Sequence, residues 1–216
     1  MSLFRLDASI RTEESRSRAI ADIVEEEWRA THPTSPVTRR HIGTHPIPAT
    51  TWALAAQVGA TPEGERSPEQ LEAVATATRE VDLLVDADAA LFAVPLYNFG
   101  VSQHFKTWVD LVITDPRMGA GGEPATAGRP AVLVVVRGGS YVAGPPREGW
   151  DHATGWMRRI LEDVWQFDLR VVELEFTLVG VNPALDAFQD VAAELRVKAE
   201  EAAREHGRAL DMAPAE

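Results

Sequence analysis

The stretch from Pro130 to Arg137 constrains the fold more than any other part of the sequence. It reads Pro-Ala-Val-Leu-Val-Val-Val-Arg and is the most apolar run in the chain. β-branched residues fit a pleated strand, and an apolar run without polar alternation is typical of a strand buried on both faces. Such a strand needs helices on both sides of its sheet, which indicates an α/β protein.

Other strands and helices alternate along the rest of the chain. Short apolar or alternating runs predict further strands at residues 2–6, 37–42, 91–94 and 169–179. Amphipathic spacing and capping residues predict helices at about residues 15–28, 52–58, 67–86, 102–113, 150–165 and 183–210. A glycine- and proline-rich turn is expected at residues 144–146.

This alternation predicts a doubly wound parallel sheet. Five strands with helices on both faces favour the flavodoxin-like strand order 2-1-3-4-5. The chain has 216 residues, no internal repeat and no linker-like segment. A single domain over residues 1–216 is therefore expected.

The stretch from Ala89 to Ser102 combines a strand, a loop and the start of a helix. Its apolar run, residues 91–94, should end at Pro95, because proline offers no amide hydrogen to a sheet. Residues 97–100 are then expected to form a loop, and Ser102 to cap the following helix. In an open α/β sheet, ligands bind at this carboxyl edge of the strands.

A second loop at the same edge follows the first strand. It offers the hydroxyl groups of Ser9, Ser15 and Ser17, and it leads into an amphipathic helix. It lacks the glycines of the dinucleotide-binding fingerprint. A hydroxyl-rich loop at a helix N-terminus can instead hold a terminal phosphate monoester. Ser15 can equally serve only as the cap of that helix.

A third loop begins with Gly138 and Gly139, directly after the most apolar strand. Two glycines leave the backbone bare, so that a flat ligand can approach the amides. On the central loop, the Asn98 amide can donate and accept toward a heterocycle, and Tyr97 and Phe99 offer aromatic surfaces. Each feature alone also fits a plain turn or core packing. In the predicted strand order, however, the three loops should converge on one crevice.

Three motifs together resemble one known family over nearly the whole chain. They are Ser9 with Ser15-Arg16-Ser17, Pro95-Leu96-Tyr97-Asn98-Phe99 followed by Ser102 and Lys106, and Arg137-Gly138-Gly139. The sequence resembles the FMN-dependent NADH:quinone oxidoreductases, the azoreductase family within the flavodoxin-like fold. It departs from the family pattern at Arg16, where the family has glutamine, and at Val136, where it has serine.

The resemblance implies an FMN site and the residues that form it. The phosphate would be held by Ser9, Ser15, Arg16 and Ser17. The flavin ring would be framed by Pro95, Leu96, Tyr97, Asn98 and Phe99 and by Arg137, Gly138 and Gly139. No protein side chain would be catalytic, because the flavin carries the chemistry.

The resemblance also implies a reaction and an assembly. NADH or NADPH would deliver hydride to the flavin, and a quinone, an azo compound or another flat acceptor would then take it. The enzyme would be a homodimer with each flavin near the subunit interface. Trp52, Tyr141 and Trp150 are candidates for substrate-pocket walls or dimer contacts, whereas Trp108 is expected in the core.

Other functions within the same fold stay open. One is a specialised flavin reductase that acts on a single biosynthetic intermediate. Another is a flavodoxin-type electron carrier without its own substrate, and a third is a binding protein that kept the fold without a cofactor. Two long loops, residues 48–67 and 114–128, favour an enclosed substrate site over a carrier.

Composition and motif searches argue against several other classes. The formal net charge is −12 and no basic stripe interrupts it, which argues against a nucleic-acid partner. No apolar run approaches the roughly 18 residues of a membrane span, and no signal peptide is recognised at the N-terminus. Cysteine is absent, so a cytoplasmic protein is expected. The six histidines show no metal-ligand spacing, and no Gly-x-Ser-x-Gly hydrolase motif occurs.

Overall fold

A parallel sheet forms the centre of the computed structural model, which describes residues 1–119, 121–141 and 147–211. Its parallel strands are β1 (Leu3–Asp7), β2 (Val37–His41), β3 (Ala89–Tyr97), β5 (Pro130–Val136) and β6 (Asp168–Leu174). A short strand, β4 (Gly100–Val101), pairs antiparallel with the end of β3. The parallel strands lie in the order β2-β1-β3-β5-β6, which confirms the predicted flavodoxin-like order.

Helices cover both faces of this sheet. They are α1 (Arg16–Thr31), α2 (Ala49–Gln57), α3 (Pro68–Val85), α4 (Gln103–Val112), α5 (Thr154–Arg158) and α6 (Gln189–Arg208). A π-helical turn, Arg159–Val164, continues α5, and short 3-10 helices lie at Val58–Ala60, Glu63–Glu65 and Pro183–Phe188. The predicted turn at residues 144–146 lies outside the described residues.

Two apolar cores lie on opposite faces of the sheet. Leu133 and Val135 pack with residues of α2 to α5, whereas Val132 and Val134 pack with residues of α1 and α6. All seven residues of β5 are buried, which confirms that this strand is covered on both faces. Each fully buried aliphatic side chain contributes about 1.5–3 kcal/mol relative to an exposed one. Trp108 is fully buried, as expected.

Three helices begin where a serine cap was expected. The side chains of Ser15, Ser67 and Ser102 accept hydrogen bonds from the backbone N–H groups of Arg18, Gln70 and Phe105. These local bonds satisfy amide groups that a helix leaves unpaired at its first turn. The starts of α1, α3 and α4 are thereby fixed by local sequence.

Pro95 does not end β3, and this prediction is wrong. The strand continues to Tyr97, and Pro95 lies opposite Val136 of β5. On its other side, β3 pairs with β1 only as far as Ala93. A proline is tolerated in a strand where no neighbour needs its missing N–H group.

Two predicted boundaries near the C-terminus are also wrong. Helix α5 begins at Thr154 and not at Trp150, because Asp151 Oδ1 accepts hydrogen bonds from the N–H groups of Ala153 (2.9 Å) and Thr154 (2.8 Å). Strand β6 ends at Leu174 and not at residue 179. The chain turns out of the sheet there, with positive φ angles of 55° at residue 176 and 79° at residue 180.

The last helix differs from the prediction in its first half. It begins as a 3-10 helix before α6, and only part of its apolar stripe is covered. Ala199 is buried, whereas Phe188 is 39% exposed and Val191 is 45% exposed. The Phe188 ring stacks on the ring of Phe176, which follows β6, at a centroid distance of 5.0 Å. Leu185, Ala192 and Leu195 are half-buried.

The described part of the loop at residues 114–128 is tied to the amino-terminal edge of the sheet. The Gly128 N–H group donates to the Gln166 carbonyl oxygen (2.8 Å), and Trp165 Nε1 donates to the Met118 carbonyl oxygen (3.2 Å). The Arg129 guanidinium donates to the Ala87 carbonyl oxygen at 2.6 Å. This edge is opposite to the one where ligands bind in such sheets.

Candidate functional site

A cleft of about 420 Å³ lies at the carboxyl edge, where β1, β3 and β5 end. Four chain segments line it: the loop after β1, the end of β3, the segment after β5 and the segment after β6. The lining residues are Ser9, Arg11, Glu14, Ser15, Arg16, Ser17, Pro95, Leu96, Tyr97, Asn98, Phe99, Val136, Gly138, Tyr141, Arg147, Thr177, Leu178 and Val181. Its volume is within the usual range for a small-molecule site.

The loop after β1 presents buried hydroxyl groups at the start of α1. Ser15 and Ser17 are 6% and 1% exposed, and their Oγ atoms lie 3.2 Å apart. Ser15 is the helix cap that the sequence allowed, and it lines the cleft as well. Ser9 Oγ accepts a hydrogen bond from the Arg11 N–H group (3.3 Å). Hydroxyl groups beside the positive end of a helix dipole suit an anionic ligand.

The central loop is a tight hairpin between β3 and β4. Tyr97 pairs with Gly100, and the two residues between them have positive φ angles, 49° at Asn98 and 69° at Phe99. Two successive positive φ angles are typical of a type I′ turn. Asparagine tolerates this conformation, but for phenylalanine it is uncommon, and such strain is concentrated at functional sites.

Tyr97 connects the hairpin with the loop after β1. Its hydroxyl oxygen accepts a hydrogen bond from the Ile10 N–H group (3.1 Å) and lies 3.5 Å from Ser9 Oγ. The two loops therefore form one continuous wall.

Gly138 lies on the opposite wall, under Leu178. A Cβ atom added at Gly138 would lie 2.7 Å from Leu178 Cδ1, so the absent side chain makes room for this leucine. The Leu178 N–H group donates to the Gly138 carbonyl oxygen (3.1 Å). Gly139 is not among the residues that line the cleft, and of the described residues a Cβ atom there would meet only Tyr141, at 4.0 Å.

The Arg137 side chain points away from the cleft. It donates to Asp151 Oδ2 (2.8 Å), to Glu173 Oε2 (3.0 Å) and to Thr154 Oγ1 (2.9 Å). Burial alone would lower its pKa, but the hydrogen bonds and charges of Glu173 and Asp151 outweigh burial and raise the pKa. Arg137 is thus a permanent cation that ties the end of β5 to β6 and to the start of α5.

An aromatic group forms the end of the cleft near the hairpin. The Phe99 ring meets Tyr141 edge-on at a centroid distance of 5.6 Å and Trp150 at 5.0 Å. The Arg147 guanidinium lies 5.5 Å from the Phe99 centroid. Tyr141 therefore lies at the cleft as expected, whereas Trp52 lies on α2, is 44% exposed and does not line it.

Positive charge dominates the lining of the cleft. Among the described lining residues, Arg11, Arg16 and Arg147 carry positive charge and Glu14 carries the one carboxylate. The chain as a whole carries −12 charges. An anionic ligand is therefore favoured locally by a protein that repels anions elsewhere.

Sequence reasoning missed the wall after β6. Thr177, Leu178 and Val181 line the cleft, but the sequence analysis placed the first two in the last strand. Thr177 Oγ1 donates to the Arg137 carbonyl oxygen (2.9 Å), which holds this segment beside the third loop. Gly180 lies beyond the predicted end at residue 179, so it gave no signal that the strand ends at Leu174.

Neither a metal-binding cluster nor a membrane-spanning helix is found in the described part of the chain. Among residues 1–119, 121–141 and 147–211, no group of three His, Cys, Asp or Glu side chains is placed to hold a metal ion. No helix within these ranges combines the length and the apolar character that crossing a membrane requires.

Comparisons to known proteins agree with the fold. A family model described as a flavodoxin-like fold matches residues 1–199. The FMN-dependent NADH:quinone oxidoreductase of Parafrankia sp. (strain EAN1pec) is 37% identical over 209 residues, which covers 96% of this chain and 99% of that protein. The protein of the same name from Frankia casuarinae is 37% identical and covers 94% of this chain and 96% of that protein.

Solved structures add support for the fold. The azoreductase from Bacillus anthracis str. Sterne has a TM-score of 0.76 and 18% identity, covering 97% of this chain and 100% of that chain. An FMN-dependent NADH-azoreductase from Bacillus anthracis str. Ames Ancestor, solved in complex with FMN, has a TM-score of 0.73 and 15% identity, covering 96% of this chain and 100% of that chain. Sequence identity over the full length confirms the resemblance: the chain belongs to the flavodoxin-like fold family and, within it, to the family of FMN-dependent NADH:quinone oxidoreductases.

Proposed function

We propose that this protein is an FMN-dependent oxidoreductase that passes hydride from NADH or NADPH, through the flavin, to a quinone, an azo compound or a similar flat acceptor. The whole chain, residues 1–216, serves as a single flavin-binding domain. One observation carries the proposal: the three loops expected to hold the cofactor line one cleft, with hydroxyls at one end and aromatic rings at the other. The names of the relatives support the cofactor, the donor and the quinone.

The hydroxyl end of the cleft suits a phosphate monoester. Ser15 and Ser17 would donate their hydroxyl hydrogens to phosphate oxygens, and Ser9 lines the same wall. Arg16 adds a positive charge, which strengthens these hydrogen bonds. These hydroxyl donors and the positive charge fit the phosphate of FMN. A ligand without a phosphate would leave them without an anionic partner.

The aromatic end of the cleft suits the flavin ring. Pro95 to Phe99 frame one edge, with the Asn98 amide available to the polar edge of the heterocycle. Gly138 and Leu178 frame the other side, and Arg137 and Gly139 support that wall from behind. When bound, FMN supplies a ring that takes up hydride from the donor and passes it to the acceptor.

The side chains of this protein orient the reactants and exclude water. Phe99, Tyr141 and Leu178 present apolar surface at the place where donor and acceptor bind in turn. Alignment of the reacting atoms is the main contribution that such a site makes to the rate. Tyr141 is thus assigned to the substrate pocket, beside Phe99.

We further propose a homodimer in the cytoplasm. Large apolar side chains are exposed on three helices: Trp52 (44%) on α2, Leu71 (52%) on α3, and Val191 (45%) and Val197 (54%) on α6. Apolar exposure of this kind is typical of interfaces. Trp52 is assigned to such a contact. The cytoplasm holds the NADH and NADPH that the reaction consumes. Sedimentation of the purified protein should give twice the chain mass of 23.6 kDa, and a monomer would contradict the assembly.

Flavin binding is the first test of the proposed function. Protein freed of ligand and titrated with FMN should quench flavin fluorescence to an end point of one FMN per chain. The loaded protein should then oxidise NADH with a quinone as acceptor and give parallel lines in double-reciprocal plots. A protein that takes up no FMN would overturn the proposal, and one that binds FMN without turnover would point to an electron carrier.

A further inference from the structure

Arg147 lies at the aromatic end of the cleft. Its guanidinium carbon is 5.5 Å from the Phe99 centroid and 5.8 Å from the Trp150 centroid. A guanidinium within about 6 Å of a ring centroid is held by cation–π attraction and keeps its N–H edges free to bind other groups. Arg147 also lines the cleft itself.

Backbone hydrogen bonds fix Arg147 beside the hairpin. The Trp150 N–H group donates to the Arg147 carbonyl oxygen (3.2 Å), which closes a turn. The Gly149 N–H group donates to the Tyr141 carbonyl oxygen (3.1 Å), and the His152 N–H group donates to the Phe99 carbonyl oxygen (3.0 Å). These bonds hold the backbone around Arg147 beside the residues of the aromatic wall, and the ring contacts with Phe99 and Trp150 place its guanidinium there.

The other charged residues of the lining lie elsewhere. Arg11 and Glu14 belong to the loop after β1 and Arg16 is the first residue of α1, so all three lie at the hydroxyl end. Arg137, the other guanidinium near the aromatic end, is already bonded to Asp151 and Glu173 and does not line the cleft. Glu148 is exposed and does not line it either. Among the described lining residues, Arg147 thus supplies the charge at the aromatic end.

We infer that Arg147 selects substrates: it binds an anionic oxygen group, such as a sulfonate, carboxylate or phosphate, carried by the planar molecule that packs against Phe99. This inference rests on the proposed function and names the class of molecule that the site prefers. A guanidinium presents two N–H groups to such an anion at once. With −12 charges on the chain, this local cation is what lets an anionic substrate approach.

A binding measurement tests the inference without turnover. Naphthalene-2-sulfonate and the uncharged naphthalene-2-sulfonamide are planar, redox-inert and nearly equal in shape. We expect the FMN-loaded protein to bind the sulfonate roughly tenfold more tightly than the sulfonamide, the usual effect of a charged hydrogen-bonded pair. Arg147→Gln should abolish this preference, and Arg147→Lys should keep part of it.

The matched control removes a remote arginine. Arg159 is 72% exposed, pairs with Asp163 and lies outside the cleft, so Arg159→Gln should keep the full preference for the sulfonate. FMN affinity and thermal melting of each variant show whether the site is intact. Equal binding of both naphthalenes by the unmodified protein, or an unchanged preference in Arg147→Gln, would overturn the inference.

Steady-state kinetics identify which reactant carries the anion. If the acceptor carries it, Arg147→Gln lowers kcat/KM for a sulfonated naphthoquinone roughly tenfold more than for the unsulfonated quinone. The two quinones differ in reduction potential, but this difference cancels because the unmodified protein and Arg147→Gln are each measured with both quinones. If the donor's pyrophosphate is the anion, kcat/KM for NADH falls instead. No change in either arm overturns the inference, whereas failure of the unmodified protein to bind FMN overturns the proposed function and this assignment together.

Discussion

Phe99 has the least ordinary backbone of any residue in the site, with a φ angle of 69°. Such a conformation costs about 1–2 kcal/mol for a residue with a Cβ atom. The type I′ turn requires it, and contacts of the ring with Tyr141, Trp150 and Arg147 offset the cost. The hairpin therefore projects Phe99 and Asn98 into the cleft as a preformed edge.

Removal of the Asn98 side chain should weaken flavin binding and leave the fold intact. Asn98→Gly deletes the amide and keeps the positive φ of 49° without steric cost, whereas Asn98→Ala adds a backbone penalty. Loss of one hydrogen bond, about 0.5–1.5 kcal/mol, corresponds to a Kd for FMN about 2- to 10-fold higher. Fluorescence titration measures this change, and thermal melting checks the fold. An unchanged Kd and turnover in Asn98→Gly would show that the amide does not face the ring.

Ser17 should act on the phosphate and not on the ring. Ser15→Ala would also remove the cap of α1, but Ser17→Ala leaves that cap in place. We expect Ser17→Ala to raise the Kd for FMN about tenfold, because a charge-assisted hydrogen bond is lost. Riboflavin, which has no phosphate, should bind the variant and the unmodified protein equally. Equal losses for both flavins would contradict the assignment.

Arg137 shows that a sequence motif alone does not give the direction of a side chain. The resemblance implied that it frames the ring, but its side chain lies on the face of the sheet that α5 covers. Residues 131, 133 and 135 point to that face. The period of two along a strand puts residue 137 there as well. Whether its neighbour Gly138 approaches the ring directly stays a prediction.

At the level of elements, α1 and α6 pack closely on one face of the sheet. A Cβ atom added at Gly207 would lie 2.6 Å from the Val24 carbonyl oxygen, so a glycine is required for this approach. Because α1 also carries Ser15 and Ser17 at its N-terminus, this packing contributes to the position of the cleft. The C-terminal half of α6 thus helps to position the N-terminus of α1 at the cleft.

Gly207→Ala should destabilise the protein because the two helices must separate. We expect a loss of about 1–3 kcal/mol in the free energy of unfolding, the usual cost of overpacking. The control is Gly155→Ala in α5, where an added Cβ would meet nothing within 4 Å. That variant should be neutral or up to about 1 kcal/mol more stable. Urea denaturation compares the two, and equal effects would contradict the close approach.

Asp151 should give the protein part of its resistance to acid. Burial raises its pKa, but hydrogen bonds from Thr154 and Ala153 and the charge of Arg137 outweigh burial and lower it. A lowered folded pKa stabilises the protein above the unfolded pKa of about 3.9, and this contribution is lost as pH falls through the folded value.

Asp151→Asn should therefore be about 1–3 kcal/mol less stable at pH 7, since the hydrogen bonds from the Ala153 and Thr154 N–H groups and the charged pair with Arg137 are weakened. The difference from the unmodified protein should narrow below about pH 4. Denaturation at pH 7, 5 and 3.5 measures it, with Asp163→Asn as control, because Asp163 is 54% exposed. A difference that is constant across this range would contradict the role of the charge.

Local sequence signals predicted where helices begin, but they did not predict strand ends that depend on contacts with distant segments. The caps at Ser15, Ser67 and Ser102 depend on bonds within three residues, so the sequence alone located them. The end of β6 depends on where β5 stops and on a turn held by the Arg137 carbonyl oxygen. A run of apolar residues cannot reveal that limit, and Thr177 and Leu178 were misplaced for this reason.

For the whole molecule, sheet order decides where the site forms. Adjacent strands β1, β3 and β5 bring their carboxyl ends together, which the alternation of strands and helices predicted before any side chain was placed. The cleft's arginines then concentrate positive charge in a chain of net charge −12. This positive charge comes from arginines on separate segments of the chain, among them Arg147. The spacing of residues in the sequence could not show that these segments meet.

A crystal structure of the complex with FMN tests the central claim most directly. The account predicts one FMN per chain in the cleft, with phosphate oxygens within about 3 Å of the Ser15 and Ser17 hydroxyl oxygens. The flavin ring should lie between the Tyr97–Phe99 hairpin and Gly138. A phosphate bound away from Ser15 and Ser17, or a ring outside the space between the hairpin and Gly138, would contradict the account.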